Sequence, residues 1–308
     1  MRYENIERAI FVKRENRFVA KVLLFGKEEK VHVKNTGRLG ELLLPGAEVI
    51  LSGSAKAERK TAYDLIGVYH DGKLFNIDSQ ACNQVVREWL SMRVPLGVKP
   101  EKTYRDSRLD FYWEEENEET VEEEEKVQVE REEKAKGEKA KVEGEEVKVE
   151  RKKPKVEREE ERAEIRKQSR GRQQAGLQEP HFVRGTEGES VHSGHLTTKK
   201  VCLEVKGCTL EKDGVGYFPD APTSRGAKHL HDLVLAREEG YEAHVGFVIQ
   251  MEGVWEVRPN VERDPAFAAA LAEAKDAGVG ISFFLTSPRP EEMIVTRCLG
   301  SLSYLDQG

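Results

Sequence analysis

The segment Val201-Cys202-Leu203-Glu204-Val205-Lys206 alternates apolar and polar side chains. A period of two is typical of a β-strand, so Glu204 and Lys206 are predicted on one face and the aliphatic residues on the other. A second short segment, Ser107-Arg108-Leu109-Asp110-Phe111, contributes another acid earlier in the chain. The two segments together give the spacing Asp…Glu-x-Lys, in which Asp110 is the first acid.

These residue types, in this pattern, point to metal-assisted phosphodiester chemistry. Two carboxylates can share a hard divalent cation, Mg²⁺ or Mn²⁺, which prefers oxygen ligands and retains water for a substrate phosphate. The lysine can steady an attacking water or neutralise charge on the phosphoryl group. By itself, however, an E-x-K tripeptide also fits a half-exposed strand that carries a solvated ion pair.

Length and composition set the broad class. A chain of 308 residues has room for two ordinary domains. The four cysteines, at positions 82, 202, 208 and 298, have neither zinc-site spacing nor disulfide-framework density, so we expect reduced, mostly buried thiols. The N-terminus carries no apolar signal region, and no run of 18 apolar residues occurs. These features predict a cytoplasmic protein without a membrane anchor.

The charge is concentrated in one part of the chain. Residues 114–170 contain 22 Glu and 16 Lys plus Arg, which accounts for −6 of the net charge of −7. From 114 to 198 large apolar residues are nearly absent, so this segment cannot bury enough surface to offset the entropy of ordering. We expect a charged, disordered insertion. Short Val-x-Val elements within it leave a charged hairpin or transient helix as the alternative.

The first 82 residues read as short strands separated by turn signals, among them Asn35-Thr36-Gly37, Pro45-Gly46 and Asp71-Gly72. About five strands in a segment of this size favour a small closed barrel, most commonly an OB-fold. The segment holds 14 Lys plus Arg against 11 acids. Such a surplus can track a phosphate backbone, although it also fits ordinary solvated surface.

Helices and strands alternate in the rest of the chain, which indicates an α/β sheet domain. A helix is predicted over 83–90 with Asn83 as its N-cap, followed by a strand pair around 103–113. After the insertion we expect a strand at 201–206, a loop to 222, and a helix from 224 to about 239 capped by Thr223. A strand at 243–250, a hairpin return at 255–257, a helix at 265–277 and a strand at 279–285 complete the pattern. The predicted domains are 1–82, the discontinuous 83–113 with 199–308, and the insertion 114–198.

Several motifs, in the right order along the chain, resemble the SfsA family of sugar fermentation stimulation proteins. They are His32-Val33-Lys34-Asn35-Thr36-Gly37-Arg38, Leu42-Leu43-Leu44-Pro45-Gly46, Arg59-Lys60-Thr61-Ala62-Tyr63-Asp64-Leu65, the two segments containing Asp110 and Glu204, and Phe218-Pro219-Asp220-Ala221-Pro222-Thr223-Ser224-Arg225-Gly226-Ala227-Lys228-His229. The resemblance implies an N-terminal OB-fold barrel followed by a restriction-endonuclease-like, PD-(D/E)XK mixed-sheet domain of the α+β or α/β class.

The resemblance also implies a site. Asp110, Glu204 and Lys206 occupy the nuclease-like positions, and Glu88 on the preceding helix is similar to an accessory acid that many superfamily members use to hold metal. The expected metal ligands are thus Glu88, Asp110 and Glu204, with Mg²⁺ or Mn²⁺ as the cation. In the family the hairpin between the two acids is normally a few residues long, whereas the insertion separates them here. That insertion could leave the site intact or mask it.

Nucleic-acid contacts are expected from polar residues of both domains: His32, Asn35, Arg38, Arg59, Lys60, Arg108, Arg225, Lys228 and His229. The group near 225 lies in the first turns of a predicted helix, where backbone N–H groups and the helix dipole favour phosphate. The alternatives are a structural ion pair between Asp220 and Arg225, and a tight turn at Asn35-Thr36-Gly37-Arg38.

Three functions follow from these features. The first is a DNA-binding protein, implied by the resemblance to be regulatory in sugar use, that contacts duplex or single strands without an obvious sequence-reading helix. The second is a divalent-metal-dependent nuclease acting through Asp110, Glu204 and Lys206. The third is an interaction protein that recruits protein partners through its charged insertion. The sequence leaves a homodimer open and gives no reason to expect a membrane partner.

Overall fold

A computed structural model of the chain describes residues 1–53, 60–116 and 198–307. The predicted disordered insertion falls outside these ranges except at its two ends, and so does Arg59. The described residues of both predicted domains pack into one unit. No helix in these ranges is both long and apolar enough to span a membrane.

The N-terminal part is a closed five-stranded barrel, as the turn spacing predicts. Its strands are β1 (Ile6–Asn16), β2 (Val19–Leu24), β3 (Lys27–Val33), β4 (Glu48–Gly53) and β5 (Tyr63–His70). Antiparallel pairing runs β3–β2–β1–β4–β5, and a short parallel pairing of β3 with β5 closes the ring. The strand β6 (Lys73–Asn76) extends the sheet beyond β5. Alternating side chains such as Ala20, Val22 and Leu24 fill the interior.

The C-terminal part is built on a six-stranded mixed sheet in the order β15–β14–β12–β9–β8–β7. Its strands are β7 (Lys99–Tyr104), β8 (Ser107–Glu116), β9 (Thr198–Cys208), β12 (Glu242–Ile249), β14 (Gly280–Pro288) and β15 (Met293–Gly300). The central strand β12 runs parallel to both β9 and β14, while the outer pairs are antiparallel. This is the restriction-endonuclease-like mixed sheet that the resemblance implies.

Three helices cover the two faces of this sheet: α1 (Ala81–Ser91), α2 (Ser224–Glu238) and α3 (Pro265–Asp276). The predicted alternation in β9 is confirmed. Leu203 and Val205 belong to the hydrophobic cluster formed with Trp89 of α1, whereas Cys202 belongs to the cluster that contains Leu233 of α2. The functional face of β9 therefore looks toward α2.

Helix α2 begins as predicted, because the Thr223 side chain accepts a hydrogen bond from the backbone N–H of Gly226 at 3.0 Å. A helix is present where α1 was predicted, but the predicted start and N-cap were wrong. That helix begins at Ala81, its N-cap is Gln80 without a side-chain cap bond, and Asn83 lies within the first turn. The side chain of Asn83 is used elsewhere, because it reaches the strand that carries Asp110.

Two further elements differ from the predictions. The predicted loop before α2 contains an antiparallel hairpin of β10 (Leu210–Lys212) and β11 (Val215–Phe218). The predicted hairpin return at 255–257 is instead the short strand β13 (Val257–Pro259), which pairs in parallel with β11. These strands form a separate three-stranded sheet. They are too short for their own periodicity to reveal them, so their partners determine the structure.

Candidate metal and phosphodiester site

The site lies where strands β8 and β9 stop pairing. Their antiparallel ladder runs from Glu116 opposite Thr198 to Phe111 opposite Leu203 and ends there. The next two residues, Asp110 and Glu204, would be the following pair. Instead the strands part at this point, and the two carboxylates occupy the opening between them.

The side chain of Asp110 accepts hydrogen bonds at the point where the backbone pairing of β8 and β9 has ended. Its Oδ2 accepts the backbone N–H of Val205 at 2.8 Å, and its Oδ1 accepts the side-chain amide of Asn83 at 2.7 Å. Both carboxylate oxygens therefore have one donor, and the carboxylate is held between β9 and α1. Burial and, after it, the neighbouring negative charge of Glu204 together raise the pKa of Asp110 to about 6. Two like charges thus share a small, largely buried space.

Glu204 is almost fully buried, with 2% of its surface exposed. Its Oε1 contacts both the ammonium group of Lys206 and Nδ1 of His229. Burial works against ionisation of this carboxyl, but Lys206 and His229 overcome it and hold its pKa below the ordinary value. Its Oε2 is buried and has no hydrogen-bond partner among the described residues. Buried carboxylate oxygens normally have a partner, so the unsatisfied Oε2 is the atom of this carboxylate that a ligand would be expected to meet.

The histidine that contacts Glu204 is oriented by an arginine on the same helix. Arg225 Nε lies 3.3 Å from His229 Nε2, and an arginine can only donate. His229 Nε2 must therefore accept, which leaves the ring proton on Nδ1, where it is donated to Glu204. A chain of donors runs from Arg225 through His229 to Glu204 and holds the carboxylate from the α2 side. Sequence reasoning placed both residues at a phosphate site but missed this link.

The other residues predicted on α2 and β8 lie within ion pairs. Lys228 Nζ contacts Asp106 at 3.3 Å and Asp232 at 3.0 Å. Arg108 is exposed and pairs with Glu101 at 2.9 Å. By contrast, no carboxylate of the described residues lies within 4.0 Å of Arg225, so the structure does not contain the alternative ion pair with Asp220.

Glu88 points to a different neighbour. Its carboxylate lies 2.7 Å from the amino group of Met1 and accepts the Gln84 amide at 3.1 Å. The helix residue that reaches Asp110 is Asn83, one and a half turns earlier. Within the described ranges no cluster of three or more His, Cys, Asp or Glu residues has a metal-binding arrangement. The donor set that the structure brings together is the pair Asp110 and Glu204.

The barrel residues of the predicted interface lie in a group of ion pairs around Asp64 and in the tight turn that follows β3. His32 Nδ1 lies 3.1 Å from Asp64 Oδ1, and Lys34 joins Asp64 to the buried Asp78. Asn35 forms the tight turn that was the alternative interpretation: its Oδ1 accepts the Gly37 N–H at 2.7 Å, and its amide donates to the carbonyl of Ile77.

Arg38 and Lys60 are exposed. Both lie on the barrel side of the chain, and Arg59 lies outside the described residues. Arg14, which sequence reasoning missed, organises this region: its guanidinium donates to the backbone carbonyls of Arg17, Asn35, Gly37 and Arg38 at 2.6–2.8 Å. A half-buried arginine that donates only to backbone carbonyls leaves no spacing signal in a sequence.

The raised pKa of Asp110 predicts an unusual pH dependence. Below pH 3.8 the carboxyl is protonated in the folded and unfolded states, and between 3.8 and about 6 only the unfolded state ionises readily. The unfolded state then binds fewer protons, so the free energy of unfolding should fall as pH rises through this window. Asp110→Asn should remove that fall. The test is to measure the urea midpoints of the unaltered protein and of Asp110→Asn in EDTA between pH 4 and 7. A difference between the two midpoints that stays constant across this range would contradict the prediction.

Comparison with known proteins identifies the family of this chain. The model described as the SfsA N-terminal OB domain matches residues 12–77, and the one described as the sugar fermentation stimulation protein RE domain matches residues 184–292. A sugar fermentation stimulation protein homolog of Desulfitobacterium hafniense is 36% identical over 284 residues, which cover 91% of this chain and 89% of that protein. The chain belongs to the sugar fermentation stimulation protein family.

Other members give the same picture. A sugar fermentation stimulation protein homolog of Clostridium beijerinckii is 34% identical over 285 residues, covering 91% of this chain and 90% of that protein. The solved structure of Pyrococcus furiosus SfsA in complex with Ca²⁺ has a TM-score of 0.63 at 21% identity and covers 97% of each chain. At that identity the likeness concerns the fold, and it agrees with the barrel followed by a mixed sheet.

Proposed function

We propose that this protein binds DNA and hydrolyses its phosphodiester bonds with the help of a divalent cation held by Asp110 and Glu204. The observation that carries the proposal is the parting of β8 and β9. This parting brings two carboxylates together in one opening, leaves Glu204 Oε2 without a hydrogen-bond partner among the described residues and places Lys206 against the same carboxylate. A structural ion pair has no need of the second acid, whose pKa is raised by burial and by the charge of the first.

The residues present fit a hard cation. Both carboxylates are oxygen donors, the unsatisfied Glu204 Oε2 is a vacant ligand atom, and a positive charge between the two acids would relieve their repulsion. Mg²⁺ or Mn²⁺ would supply polarisation of a phosphoryl oxygen and a more acidic bound water. Ca²⁺ in the Pyrococcus furiosus relative belongs to the same oxygen-binding class, which supports the choice.

The protein's own residues would orient the water, stabilise charge, hold the two carboxylates and contact the DNA backbone. Lys206 is mostly buried beside Glu204, where its ammonium can orient a water or offset charge on a phosphate. Asn83 and the Val205 N–H hold Asp110, and His229 holds Glu204, so both carboxylates are fixed before substrate arrives. Arg225 is exposed at the first turn of α2, beside this group, and can meet a phosphate of the DNA backbone.

A second candidate is DNA binding without hydrolysis, in service of the regulation that the relatives' name suggests. One observation favours it. Lys206 and His229 both contact the same oxygen of Glu204, so the carboxylate is already neutralised and the lysine is engaged. A site of this kind could persist as scaffold while the surrounding arginines bind phosphates.

The test is cleavage of labelled single- and double-stranded DNA with Mg²⁺ or Mn²⁺, with binding followed in Ca²⁺. Lys206→Met should lower cleavage by about 10²–10³-fold, as expected when one stabilising charge is removed from a preorganised site. The matched control is Lys275→Met on the last turn of α3, which should leave the rate unchanged.

The outcomes separate the candidates. Binding by the unaltered protein without metal-dependent cutting would refute the nuclease and leave the DNA-binding function. Absence of both binding and cutting would refute the two together. Cutting that Lys206→Met leaves intact would show that the activity belongs to another site or to a contaminant.

A further inference from the structure

The exposed arginines of the described residues differ in whether an acid lies beside them. Arg8, Arg105 and Arg108, for example, each have a carboxylate within 3.0 Å. In residues 1–53, 60–116 and 198–307, no carboxylate lies within 4.0 Å of Arg17 or Arg38. An arginine without an acid partner retains its full capacity to bind an anion.

Arg17 and Arg38 belong to one surface because the same side chain anchors both. Arg14 Nη2 donates to the carbonyl of Arg17 at 2.6 Å, and Arg14 Nη1 donates to the carbonyl of Arg38 at 2.7 Å. The turn between β1 and β2 is therefore held against the loop that follows β3. The two free guanidinium groups extend from backbone segments joined through a single planar group.

An exposed aromatic ring completes this surface. Phe18 follows Arg17 directly and is 49% exposed. Its backbone is held at both ends, because its N–H donates to Asn16 Oδ1 at 2.9 Å and its carbonyl accepts the Val33 N–H at 2.8 Å. A ring on the ordered turn that also carries Arg17, anchored by the same Arg14 as Arg38, gives this surface the composition of a stacking platform for an unpaired base.

The same loop leads to the metal site. A Cβ atom on Gly37 would overlap the carboxylate of Asp220, and the Leu39 N–H lies 3.4 Å from Asp220 Oδ2, so the barrel loop packs against the segment before α2. Arg225 follows Asp220 by five residues, a span of at most about 18 Å. Through His229 that helix contacts Glu204. The loop that carries Arg38 is thus connected to the candidate site through Asp220 and α2.

We propose that Arg17, Phe18 and Arg38 bind a single-stranded segment of DNA and lead it past Arg225 to Asp110 and Glu204. A base stacks on Phe18, and the arginines bind the flanking phosphates. The proposal rests on the proposed function and adds the form of the substrate: an unpaired strand, or the unpaired part of a junction, because a base inside a duplex cannot expose its face to Phe18.

The experiment measures binding by fluorescence anisotropy in Ca²⁺, with a single-stranded oligonucleotide and a blunt duplex of the same length. Phe18→Ala should weaken single-strand binding by about five- to a hundredfold and change duplex binding less than about twofold. The matched control is Phe25→Ala, which removes a ring that is 77% exposed at the opposite end of β2 and should change neither affinity.

A second pair of variants tests the arginines. Arg38→Gln should weaken single-strand binding and reduce the slope of log affinity against log salt by about 0.7, the value for one lost phosphate contact. Arg8→Gln, which removes an exposed but acid-paired arginine of the same barrel, should leave that slope unchanged. Thermal melts of all four variants confirm that the fold is retained.

The outcomes distinguish this proposal from the one it rests on. If the unaltered protein binds DNA and Phe18→Ala behaves as Phe25→Ala, or weakens both DNA forms alike, the platform is refuted and the proposed function stands. If the unaltered protein binds neither form of DNA, both proposals are refuted. A selective loss of single-strand affinity in Phe18→Ala supports the platform whether or not the DNA is cut.

Discussion

Replacing Glu204 with glutamine is expected to abolish divalent-cation binding and to lower metal-dependent cleavage at least about a thousandfold, since a bound cation contributes several kcal/mol of transition-state stabilisation. The change removes the carboxylate charge, part of which lies on Oε2, the oxygen without a hydrogen-bond partner among the described residues. It also leaves the mostly buried ammonium group of Lys206 without its anion, so the cation-free protein should lose about 3–5 kcal/mol of stability. Isothermal titration with Mn²⁺, cleavage assays and urea unfolding in EDTA measure the three effects.

The matched variant is Asp110→Asn, whose stability should change in the opposite direction. The pKa of Glu204 is lowered in the fold, so its charge stabilises the protein, whereas the pKa of Asp110 is raised, so its charge destabilises it near neutral pH. An asparagine can still accept the Val205 N–H, and the Asn83 amide can turn to accept from it. Both variants should fail to bind the cation, while only Glu204→Gln unfolds more easily in EDTA.

Two results would contradict this account. Unchanged Mn²⁺ affinity in either variant would remove that carboxylate from the cation site. Equal destabilisation in both variants would contradict the opposite effects of folding on the pKa values of Asp110 and Glu204.

Replacing Asp264 with alanine is expected to destabilise the protein by about 2–4 kcal/mol, the largest effect predicted for a residue outside the site. Asp264 is buried and serves two helices at once. Its Oδ1 accepts the Phe267 N–H at 2.9 Å and caps α3, and its Oδ2 accepts the N–H of Thr223, the cap of α2, at 2.7 Å. Alanine leaves both N–H groups without an acceptor. Urea unfolding followed by circular dichroism measures the change.

Two controls accompany this variant. Asp264→Asn keeps one acceptor oxygen and should lose roughly half as much stability. Asp276→Ala removes an exposed acid from the other end of α3, where a negative charge is unfavourable to the helix dipole, and should be neutral or slightly stabilising. A loss below about 0.5 kcal/mol in Asp264→Ala would mean that water or another group satisfies the two N–H groups.

Local pattern predicted the elements that carry the site. The alternation in β9 placed Glu204 and Lys206 on the face opposite Leu203 and Val205, and the clusters on the two sides of the sheet confirm it. The cap of α2 was equally readable, because a threonine before a helix satisfies its first N–H groups wherever that helix lies. Such features depend on neighbours in sequence, so sequence suffices.

Pairing between distant segments could not be predicted from the sequence in the same way. The strand β13 has three residues and is a strand only because β11 lies beside it. Asn83 fits a cap by its position in sequence, yet it donates to Asp110, which lies 27 residues further along the chain. Arg14 binds carbonyls of four residues across two loops. Each outcome depends on which surfaces meet, and that is a property of the folded chain.

By itself the sequence determined the family and the barrel followed by an α/β sheet, and it predicted the acid, acid and lysine of the candidate site, because periodicity, turn chemistry and motif order are local properties of a chain. Only the tertiary structure decided that β8 and β9 part beside Asp110 and Glu204, that His229 and Lys206 hold the same carboxylate oxygen, and that Glu88 meets Met1 instead. The charge and burial of a group depend on every element packed around it, and those elements come together only when the chain folds.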